Sequence, residues 1–437
     1  MINMENMIYP NGDLLIFDKP DYRIIDTVTK KVRTLNRVSY AILIGVDSGT
    51  TPHSLVTKLG IEGDEEKTTK LMTFLQDLEK ALILTKTKEK GGKLFKKNIK
   101  TNPILEKLFI EVTTQCNFYC KHCYSSCSRT YSHESSDEIA FNEIENLICQ
   151  ADEVGVYKVD ITGGELFLRN DAIAIMDLLS KHAMLMNIFT NGYLLDNNLI
   201  KYLSSNNFIR SVFISLDDID PLTHDNFRGK QGAWEKTIES ILNLKNAGTN
   251  VIINTTIRPE NIKNISKMHS FFNDELNVDY RMAPILPAGR GEKLESIDLD
   301  LFTQELICIG KVPSNLNNIS RKDTGQYIPN CGIGNTMLFV TSSGQLTLCP
   351  TMSPRENSSF LLGDIYKDSL REVWETHPLL KEFRKNKCVG GQCQYINLCR
   401  GGCRSRAYIE SGRFDTIDPV VCHLFYGLED NTVDAYQ

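Results

Sequence analysis

The chain has 437 residues, which is enough for about two to four domains. Its 41 % hydrophobic and 24 % charged residues exclude a disordered chain, a collagen-like fibre and a coiled-coil rod. The formal net charge of −6 argues against a protein held to nucleic acid by its overall charge. No segment approaches the roughly 18–20 apolar residues of a membrane span, and the first residues lack the features of a signal peptide. We therefore expect a cytoplasmic protein without a membrane or nucleic-acid partner.

Cysteine is the most informative residue type. The chain has 13 cysteines, none of them before residue 116, and seven lie in the last 107 residues. Disulfides are a poor explanation in a chain of this size without a secretion signal, and the odd count argues against complete pairing. The cysteines therefore indicate metal binding or redox chemistry.

The first region, residues 1–86, has the pattern of a small α+β domain. Thr51 before Pro52 is a good helix start, and Gly60 can end that helix. Three strands followed by three helices suggest a winged-helix-like domain. The predicted strands are 13–17, 22–25 and 28–35, and the predicted helices are 37–44, 51–59 and 65–84.

A basic segment follows at residues 87–104. Residues 86–100 contain seven lysines and one glutamate, with Gly91 and Gly92 among them. This composition predicts a solvated linker, and a contact for an acidic peptide is the alternative.

The second region, residues 105–310, alternates strands and helices. This order predicts a parallel sheet with helices outside it. Six βα units are fewer than the eight of a closed barrel, so we expect a partial, TIM-like (β/α)6 barrel with its chemistry at the carboxyl ends of the strands. The predicted strands are 107–113, 157–162, 185–190, 211–217, 251–257 and 278–286, and the predicted helices are 138–154, 171–181, 198–203, 233–246 and 262–276.

The third region, residues 311–437, is rich in glycine and cysteine and has one clear helical pattern, at 369–383. A loop-rich domain of this kind has a small apolar core, so we expect metal clusters to stabilise it.

Three cysteines come directly after the first barrel strand, as Cys116-x3-Cys120-x2-Cys123. Three thiolates on one short loop suit an iron–sulfur cluster, because they bind three irons and leave the fourth open. A structural zinc site normally needs four protein ligands.

This loop resembles the signature of the radical SAM enzymes. The resemblance implies that S-adenosylmethionine chelates the open iron and is cleaved to methionine and a 5′-deoxyadenosyl radical, which abstracts hydrogen. It also implies that His122 faces the adenine, that Glu165 accepts from the cofactor ammonium and that Arg228 pairs with its carboxylate. Gly163 and Gly164 would let the backbone approach the cofactor.

Other polar residues lie at predicted strand ends, where single residues are often only turns or caps. Their joint placement favours a cofactor site. The cofactor contacts that the resemblance implies are His122, Gly163, Gly164, Glu165, Thr190, Asn191, Ser215, Asp217, Arg228 and Pro287.

The last seven cysteines resemble the SPASM extension of radical SAM peptide-modifying enzymes, which holds two auxiliary [4Fe–4S] clusters. One departure is the C-x4-C pair, since the usual pair is C-x2-C. The chain would then hold three [4Fe–4S] clusters; two zinc sites are the alternative for this region. The resemblance assigns Cys331, Cys349 and Cys403 to one auxiliary cluster, and Cys388, Cys393, Cys399 and Cys422 to the other.

Three cysteines remain outside these two signatures. Cys308 is a weak candidate for the missing fourth ligand of the first auxiliary cluster, which could also be open. Cys149 is expected in the core of a helix, and Cys127 is a weak candidate for the active site.

The front domain resembles the recognition element of enzymes that modify ribosomally synthesised peptides, which bind a leader peptide as an added strand. DNA binding is the alternative. Residues 1–85 contain 10 Lys and Arg against 12 Asp and Glu, which favours a peptide over a phosphate backbone.

The resemblance implies a peptide maturase that installs an intramolecular crosslink. A carbon–carbon bond between Lys and Trp, as in streptide-type maturases, ranks first. Thioether-forming maturases and anaerobic sulfatase maturases are enzyme alternatives, and an iron–sulfur electron carrier or redox-sensing regulator is the non-enzyme alternative. The expected partners are a precursor peptide with its leader and an external electron donor of flavodoxin or ferredoxin type. The sequence does not identify a general base.

Overall fold

A computed structural model describes residues 2–18, 22–27, 29–47, 49–125, 127, 138–311, 332–352, 358–385, 399 and 401–426. The predicted ligands Cys331, Cys388 and Cys393 lie outside the described residues. Within these ranges, no helix is long and apolar enough to cross a membrane.

The strands and helices are numbered in chain order. The strands are β1 Tyr9–Pro10, β2 Gly12–Phe17, β3 Arg23–Asp26, β4 Val32–Thr34, β5 Leu84–Thr85, β6 Gly91–Lys97, β7 Lys107–Glu111, β8 Lys158–Thr162, β9 Leu185–Thr190, β10 Ile209–Ser215, β11 Val251–Ile257, β12 Asp279–Pro284, β13 Met337–Val340, β14 Gln345–Thr347 and β15 Gly363–Asp364. The helices are α1 Arg37–Val46, α2 Pro52–Lys58, α3 Glu65–Lys80, α4 Phe141–Val154, α5 Ala172–Lys181, α6 Asn197–Ser205, α7 Pro221–Arg228, α8 Ala233–Asn246, α9 Ile265–Ser270, α10 Leu299–Cys308, α11 Leu370–Thr376, α12 Pro378–Lys385, α13 Arg404–Ser411 and α14 Pro419–Tyr426.

The front of the chain forms a four-stranded sheet in the order β4-β3-β2-β6 and three helices. Polar caps begin the helices: the Thr51 side chain accepts a hydrogen bond from the Ser54 amide at 3.2 Å, and Asp64 accepts from the Lys67 amide at 3.0 Å. Leu71, Leu75 and Leu78 lie on one buried face of α3. The three predicted strands and three predicted helices are therefore all present.

The expected basic linker is wrong where it overlaps β6. This strand pairs in parallel with β2, with Leu14 opposite Leu94. Leu94 is buried, and the Lys97 ammonium lies 2.6 Å from the Asp152 carboxylate of α4. The sequence pattern did not predict β6, because few residues of this strand are apolar. The charge of its buried Lys97 is paired with a carboxylate that is distant in the sequence.

The central sheet has nine strands in the order β12-β11-β10-β9-β8-β7-β13-β14-β15. Strands β7 to β12 are parallel and lie in chain order, as predicted for a partial barrel. Strand β13 pairs in parallel with the other edge of β7, and β14 and β15 continue antiparallel. The cysteine-rich region therefore extends the barrel sheet, which its irregular sequence pattern did not predict.

Two further differences concern helices. The helix expected at 369–383 is two helices, α11 and α12, because Pro378 cannot continue the first one. Helices α7, α10, α13 and α14 were not predicted from the sequence.

The front sheet packs against the amino-terminal ends of the barrel strands. Leu15, Phe17 and Ile25 belong to the same hydrophobic core as the barrel. The rings of Phe17 and Tyr157, the residue before β8, are 4.6 Å apart. The cysteine loop after β7 lies at the opposite, carboxyl end of the sheet, where chemistry is expected.

Candidate active site

The cysteine loop is held by backbone hydrogen bonds from the end of α7. The Tyr119 amide donates to the Arg228 carbonyl at 3.1 Å, and the Lys121 amide donates to the Phe227 carbonyl at 3.0 Å. Gly229 ends α7 with a positive φ of 64°, and a Cβ there would lie 2.5 Å from the Tyr119 carbonyl oxygen. Only glycine permits this close approach.

A second clamp comes from the segment after β12. The Arg290 side chain donates to the carbonyls of Cys120 at 2.8 Å and Cys127 at 2.9 Å, and its amide donates to the Cys123 carbonyl at 3.0 Å. The loop conformation is thus fixed by elements that are distant in sequence.

The loop cysteines form a largely buried donor set. Cys116 and Cys120 are buried and Cys123 is partly buried. Burial raises the pKa of the Cys116 thiol to about 12, so a bound metal has to displace its proton. Among the described residues no three such side chains converge on a point suited to a single ion. A four-iron cluster differs, because each thiolate binds a separate iron.

Two buried polar atoms beside these cysteines fit a bound group. Asn117 Nδ2 and His122 Nδ1 have no hydrogen-bond partner among the described residues. Unpartnered buried donors are rare, so each is available to a cofactor next to the loop. The donor set and these atoms together fit an iron–sulfur cluster with a polar organic ligand.

Glu165 joins the ends of two neighbouring strands. Its buried carboxylate accepts from Thr190 Oγ1 at 2.8 Å, from the Asn191 amide at 2.8 Å and from the Phe167 amide at 3.2 Å. Burial raises the pKa of this carboxyl group. A carboxylate has about four acceptor positions, so one remains for a further donor.

Gly164 approaches the cysteine loop rather than open space. A Cβ at Gly164 would lie 2.1 Å from the Gln115 carbonyl oxygen. The Glu165 amide donates to that same oxygen at 2.8 Å. Gly164 therefore allows the end of β8 to contact the cysteine loop. Gly163 lies similarly close to Thr113.

Asn191 extends this network to the loop, because its Nδ2 donates to Asn117 Oδ1 at 2.7 Å. The structure thus brings Glu165, Thr190 and Asn191 together beside the cysteine loop. Ser215 lies at the end of β10, in register with Asn254 of β11.

Arg228 contacts a protein carboxylate and a loop cysteine. Its Nε lies 2.6 Å from Asp217 Oδ2, and its Nη1 lies 3.7 Å from the Cys120 sulfur. Both charged side chains are buried. Arg228 lowers the pKa of Asp217 against the opposing effect of burial, so the pair is ionised. These contacts differ from the cofactor carboxylate expected for Arg228.

His122 stacks on a protein ring. Its ring centroid lies 4.5 Å from that of Phe227 with an interplanar angle of 6°, and the Arg258 guanidinium lies 4.1 Å from the same Phe227 ring. Burial lowers the pKa of His122 to about 3, so the imidazole is neutral. One ring face is therefore occupied by Phe227. Pro287 lies, half-buried, in the segment that carries Arg290.

Sequence reasoning missed several residues that support the site. Arg258 and Asn261 donate to the Asp217 carbonyl at 3.3 and 2.9 Å. Glu138 accepts from Thr113 Oγ1 at 2.8 Å and from the Thr114 amide at 2.9 Å. No local pattern marks these residues, because their partners lie 24 to 44 positions away along the chain.

The described auxiliary cysteines lie on three segments, because Cys399 and Cys403 are only four residues apart. Cys349 follows β14, Cys403 precedes α13, and Cys422 lies in α14. Buried Asp418 links two of these segments, because it accepts from the Cys403 amide at 2.7 Å and begins α14. Cys399 is also buried.

The three cysteines outside the two signatures differ in their exposure to solvent. Cys149 is exposed, so its expected core position is wrong; the buried face of α4 comprises Ile144, Leu147, Ile148 and Ala151. Cys308 is exposed at the end of α10. Cys127 is buried, and its thiol is hydrogen-bonded to Cys123.

The Glu165 carboxylate leads to a testable expectation. Glu165→Gln should weaken S-adenosylmethionine binding, because a charge-assisted hydrogen bond contributes ~1.5–3 kcal/mol. Iron content should stay unchanged. Binding is measured by calorimetry on the reconstituted protein, with Thr190→Val as a control that removes one partner of Glu165 and keeps its charge. Equal weakening by both variants would contradict a contact with the cofactor ammonium.

Comparisons with known protein families agree with this geometry. The Radical SAM superfamily matches residues 110–272, and SPASM, an iron–sulfur cluster-binding domain, matches residues 331–404. The first match contains the cysteine loop and the ends of β8 to β10.

Individual relatives are distant. The AdoMet-dependent heme synthase of Methanosarcina barkeri is 26 % identical over 340 residues, covering 71 % of this chain and 94 % of the relative. The subtilosin biosynthesis protein AlbA of Bacillus subtilis is 23 % identical over 389 residues, covering 84 % of each. The structure of Streptococcus suis SuiB bound to precursor peptide SuiA matches with a TM-score of 0.61 and 16 % identity, covering 95 % of this chain and 99 % of that one.

The shared architecture is the radical SAM α/β fold, and the three-cysteine loop lies at its carboxyl edge. Residues 110–272 therefore match a radical SAM domain and residues 331–404 match a SPASM domain, and these domains imply S-adenosylmethionine and [4Fe–4S] clusters as cofactors.

Proposed function

We propose that this chain is a maturase that installs a crosslink in a ribosomally synthesised precursor peptide. The observation that carries the proposal is the front sheet: it ends in an edge strand, β4, and packs onto the barrel that holds the cysteine loop. A sheet edge of this kind can bind an extended peptide as an additional strand.

The edge of β4 has donors for such a peptide. The Asp26 amide donates to the Lys31 carbonyl, and the Leu35 amide donates to the Tyr22 carbonyl. In an antiparallel pair, alternate residues bond to the neighbouring strand and the others point away. Val32 and Thr34 therefore present their backbone groups to the outside.

The extent of the similarities supports a role for the front sheet. The heme synthase matches 71 % of this chain, whereas the SuiB structure, which holds a precursor peptide, matches 95 %. A match of that extent includes most of the front sheet. AlbA, named for the biosynthesis of a bacteriocin, also covers more of the chain than the heme synthase does. A sulfatase maturase or an electron carrier would not need the open sheet edge.

The site residues have separable roles in this proposal. Cys116, Cys120 and Cys123 would hold a cluster, and S-adenosylmethionine bound there would supply a 5′-deoxyadenosyl radical. Glu165 would offer its remaining acceptor position to the ammonium group. The backbone around Gly164 and Gly229 packs closely against the loop and fixes its position.

The front sheet then raises the local concentration of the peptide. A leader bound beside β4 tethers the following residues to the same molecule, so they reach the carboxyl edge of the barrel at high effective concentration. The external electron donor would be a flavodoxin or ferredoxin. Cys349, Cys399, Cys403 and Cys422, with the three cysteines outside the described residues, would hold the auxiliary clusters.

A carbon–carbon bond between Lys and Trp is the first choice for the crosslink, and a thioether is the alternative. The test uses a candidate precursor peptide, taken from a short open reading frame if one adjoins this gene, with anaerobically reconstituted enzyme and a reductant. A crosslink lowers the peptide mass by two hydrogens, and fragmentation locates the joined residues. An unchanged mass, or an aldehyde that reacts with a hydrazide reagent, would contradict the proposal.

A further inference from the structure

A small basic cavity lies between the front sheet and the amino-terminal ends of the barrel strands, away from the cysteine loop. Its volume is about 70 Å³. Four cations line it: Arg23 of β3, Lys30 before β4, Lys158 of β8 and Arg210 of β10. Val32 of the edge strand β4 lines it as well.

The positive charge of this cavity is incompletely balanced by the described residues. Glu106 lies 3.3 Å from Arg23 and 3.5 Å from Lys158, so one carboxylate serves two cations. Arg210 is exposed and makes no hydrogen bond or ion pair with any residue that the structure describes, and the buried Arg23 Nε has no hydrogen-bond partner there. The Lys30 ammonium donates to the backbone carbonyls of Thr27 and Asn207. The acidic side chain near Lys30 is Asp26.

Burial and neighbouring cations both disfavour the charged forms of the lysines in this cavity. The pKa of Lys30 is lowered to about 8, mainly by burial and to a smaller extent by the charge of Arg210, against the opposing effect of Asp26. Burial likewise lowers the pKa of Lys158, where Arg210 and Arg23 act in the same direction. An anion in the cavity would relieve this repulsion.

Arg210 reaches this position through an irregularity of its strand. The register between β9 and β10 shifts between Ile209 and Ser211, so Arg210 is the extra residue of a β-bulge. Bulges redirect a side chain at the edge of a regular ladder and are common next to functional sites. The bulge is thus a second, independent feature of the backbone at this cavity.

The edge strand connects the cavity to a peptide. Val32 has outward-facing backbone groups, and its side chain lines the cavity. A peptide strand added beside β4 would therefore pass the cavity, and every second side chain would point to the barrel side. A space of about 70 Å³ accommodates a few water molecules or one carboxylate group, but not a nucleotide.

We infer that this cavity binds the carboxylate side chain of an acidic residue in the leader of the precursor peptide, with the exposed Arg210 as its charged partner. The inference rests on the proposed function and adds a determinant of substrate specificity. It assigns to the barrel itself a part in recognising the leader, since Lys158 and Arg210 belong to barrel strands.

The experiment compares Arg210→Gln with Lys31→Gln, an exposed lysine next to Lys30 that does not line the cavity. The probes are two fluorescein-labelled, capped octapeptides of alternating Thr and Val that differ only in one central Glu or Gln. Fluorescence anisotropy with the full-length reconstituted protein gives the two affinities. We expect wild type and Lys31→Gln to bind the Glu peptide about tenfold more tightly, as one charge-assisted hydrogen bond implies. Arg210→Gln should bind both peptides equally.

Two further measurements test whether the cavity binds other anions instead of the peptide. Inorganic phosphate is titrated at constant ionic strength while thermal unfolding is followed, and a short DNA duplex is tested by anisotropy. If phosphate or DNA binding depends on Arg210 while the Glu and Gln peptides bind alike, the inference is wrong. It is also wrong if Arg210→Gln still prefers the Glu peptide. None of these measurements requires cofactor cleavage, so their failure is distinct from a failure to modify the precursor.

Discussion

Changing Cys116, Cys120 and Cys123 together to alanine should remove about one third of the bound iron and abolish cleavage of S-adenosylmethionine. The anaerobically reconstituted wild type should hold roughly twelve irons if all three sites carry four-iron clusters. The expected loss is limited because the other predicted cluster ligands lie at Cys331 and beyond, outside the loop. Iron, sulfide and 5′-deoxyadenosine are measured on the same preparations.

The matched control for this variant is Cys149→Ala. Cys149 is exposed on α4 and lies outside both cysteine signatures, so its iron content and cofactor cleavage should match wild type. Stoichiometric zinc with negligible iron and sulfide in the wild type would overturn the assignment of all three sites. Loss of nearly all iron in the triple variant would show that the auxiliary sites depend on the loop.

Val32→Pro should lower modification of the precursor peptide at least tenfold while leaving uncoupled cleavage of S-adenosylmethionine intact. Proline removes the outward amide of Val32, but the amide and carbonyl groups that join β4 to β3 belong to Lys31 and Leu35. The loss should therefore affect peptide capture and not the ladder of the front sheet. Precursor affinity by calorimetry and product formation by mass spectrometry are the two readouts.

Val32→Thr is the matched control, because threonine keeps the amide, the branched Cβ and the strand preference of valine. It should bind and modify the precursor like wild type. Unchanged precursor affinity in Val32→Pro would contradict peptide capture at this edge. Thermal unfolding of both variants shows whether the front sheet is intact.

A point substitution is a sharper test than removal of residues 1–86. That truncation would take away β2, the partner of β6, and expose Leu94. It would also remove Phe17, which packs on Tyr157 in the barrel core. A loss of activity would then mix peptide capture with damage to the barrel.

Local sequence patterns were sufficient for most of the barrel. Strands β7 to β12 are short apolar runs between amphipathic helices, and their order along the chain sets their order in the sheet. The helix caps at Thr51 and Asp64 depend on neighbours three residues away. The spacing of Cys116, Cys120 and Cys123 is likewise a local property, so the position of the loop at a strand end could be predicted.

Local patterns of this kind do not predict contacts between residues that are far apart in the sequence. Cys149 follows buried Ile148, yet it is exposed, because one residue rotates a side chain by about 100° around a helix. The strand β6 has few apolar residues, and its pairing with β2 depends on a contact across about 80 positions. The same holds for β13, which joins β7 from the far end of the chain.

The sequence by itself determined the partial barrel, its cysteine loop and the candidate residues at the strand ends, since each depends on periodicity or spacing within a few residues. Only the tertiary structure decided what those residues contact: Glu165 with Thr190 and Asn191, Arg228 with Asp217 and Cys120, and His122 with Phe227. The physical reason is that a buried charge or donor takes its partner from whichever element packs beside it. These contacts depend on how the sheet and helices pack together, so no local sequence pattern predicts them.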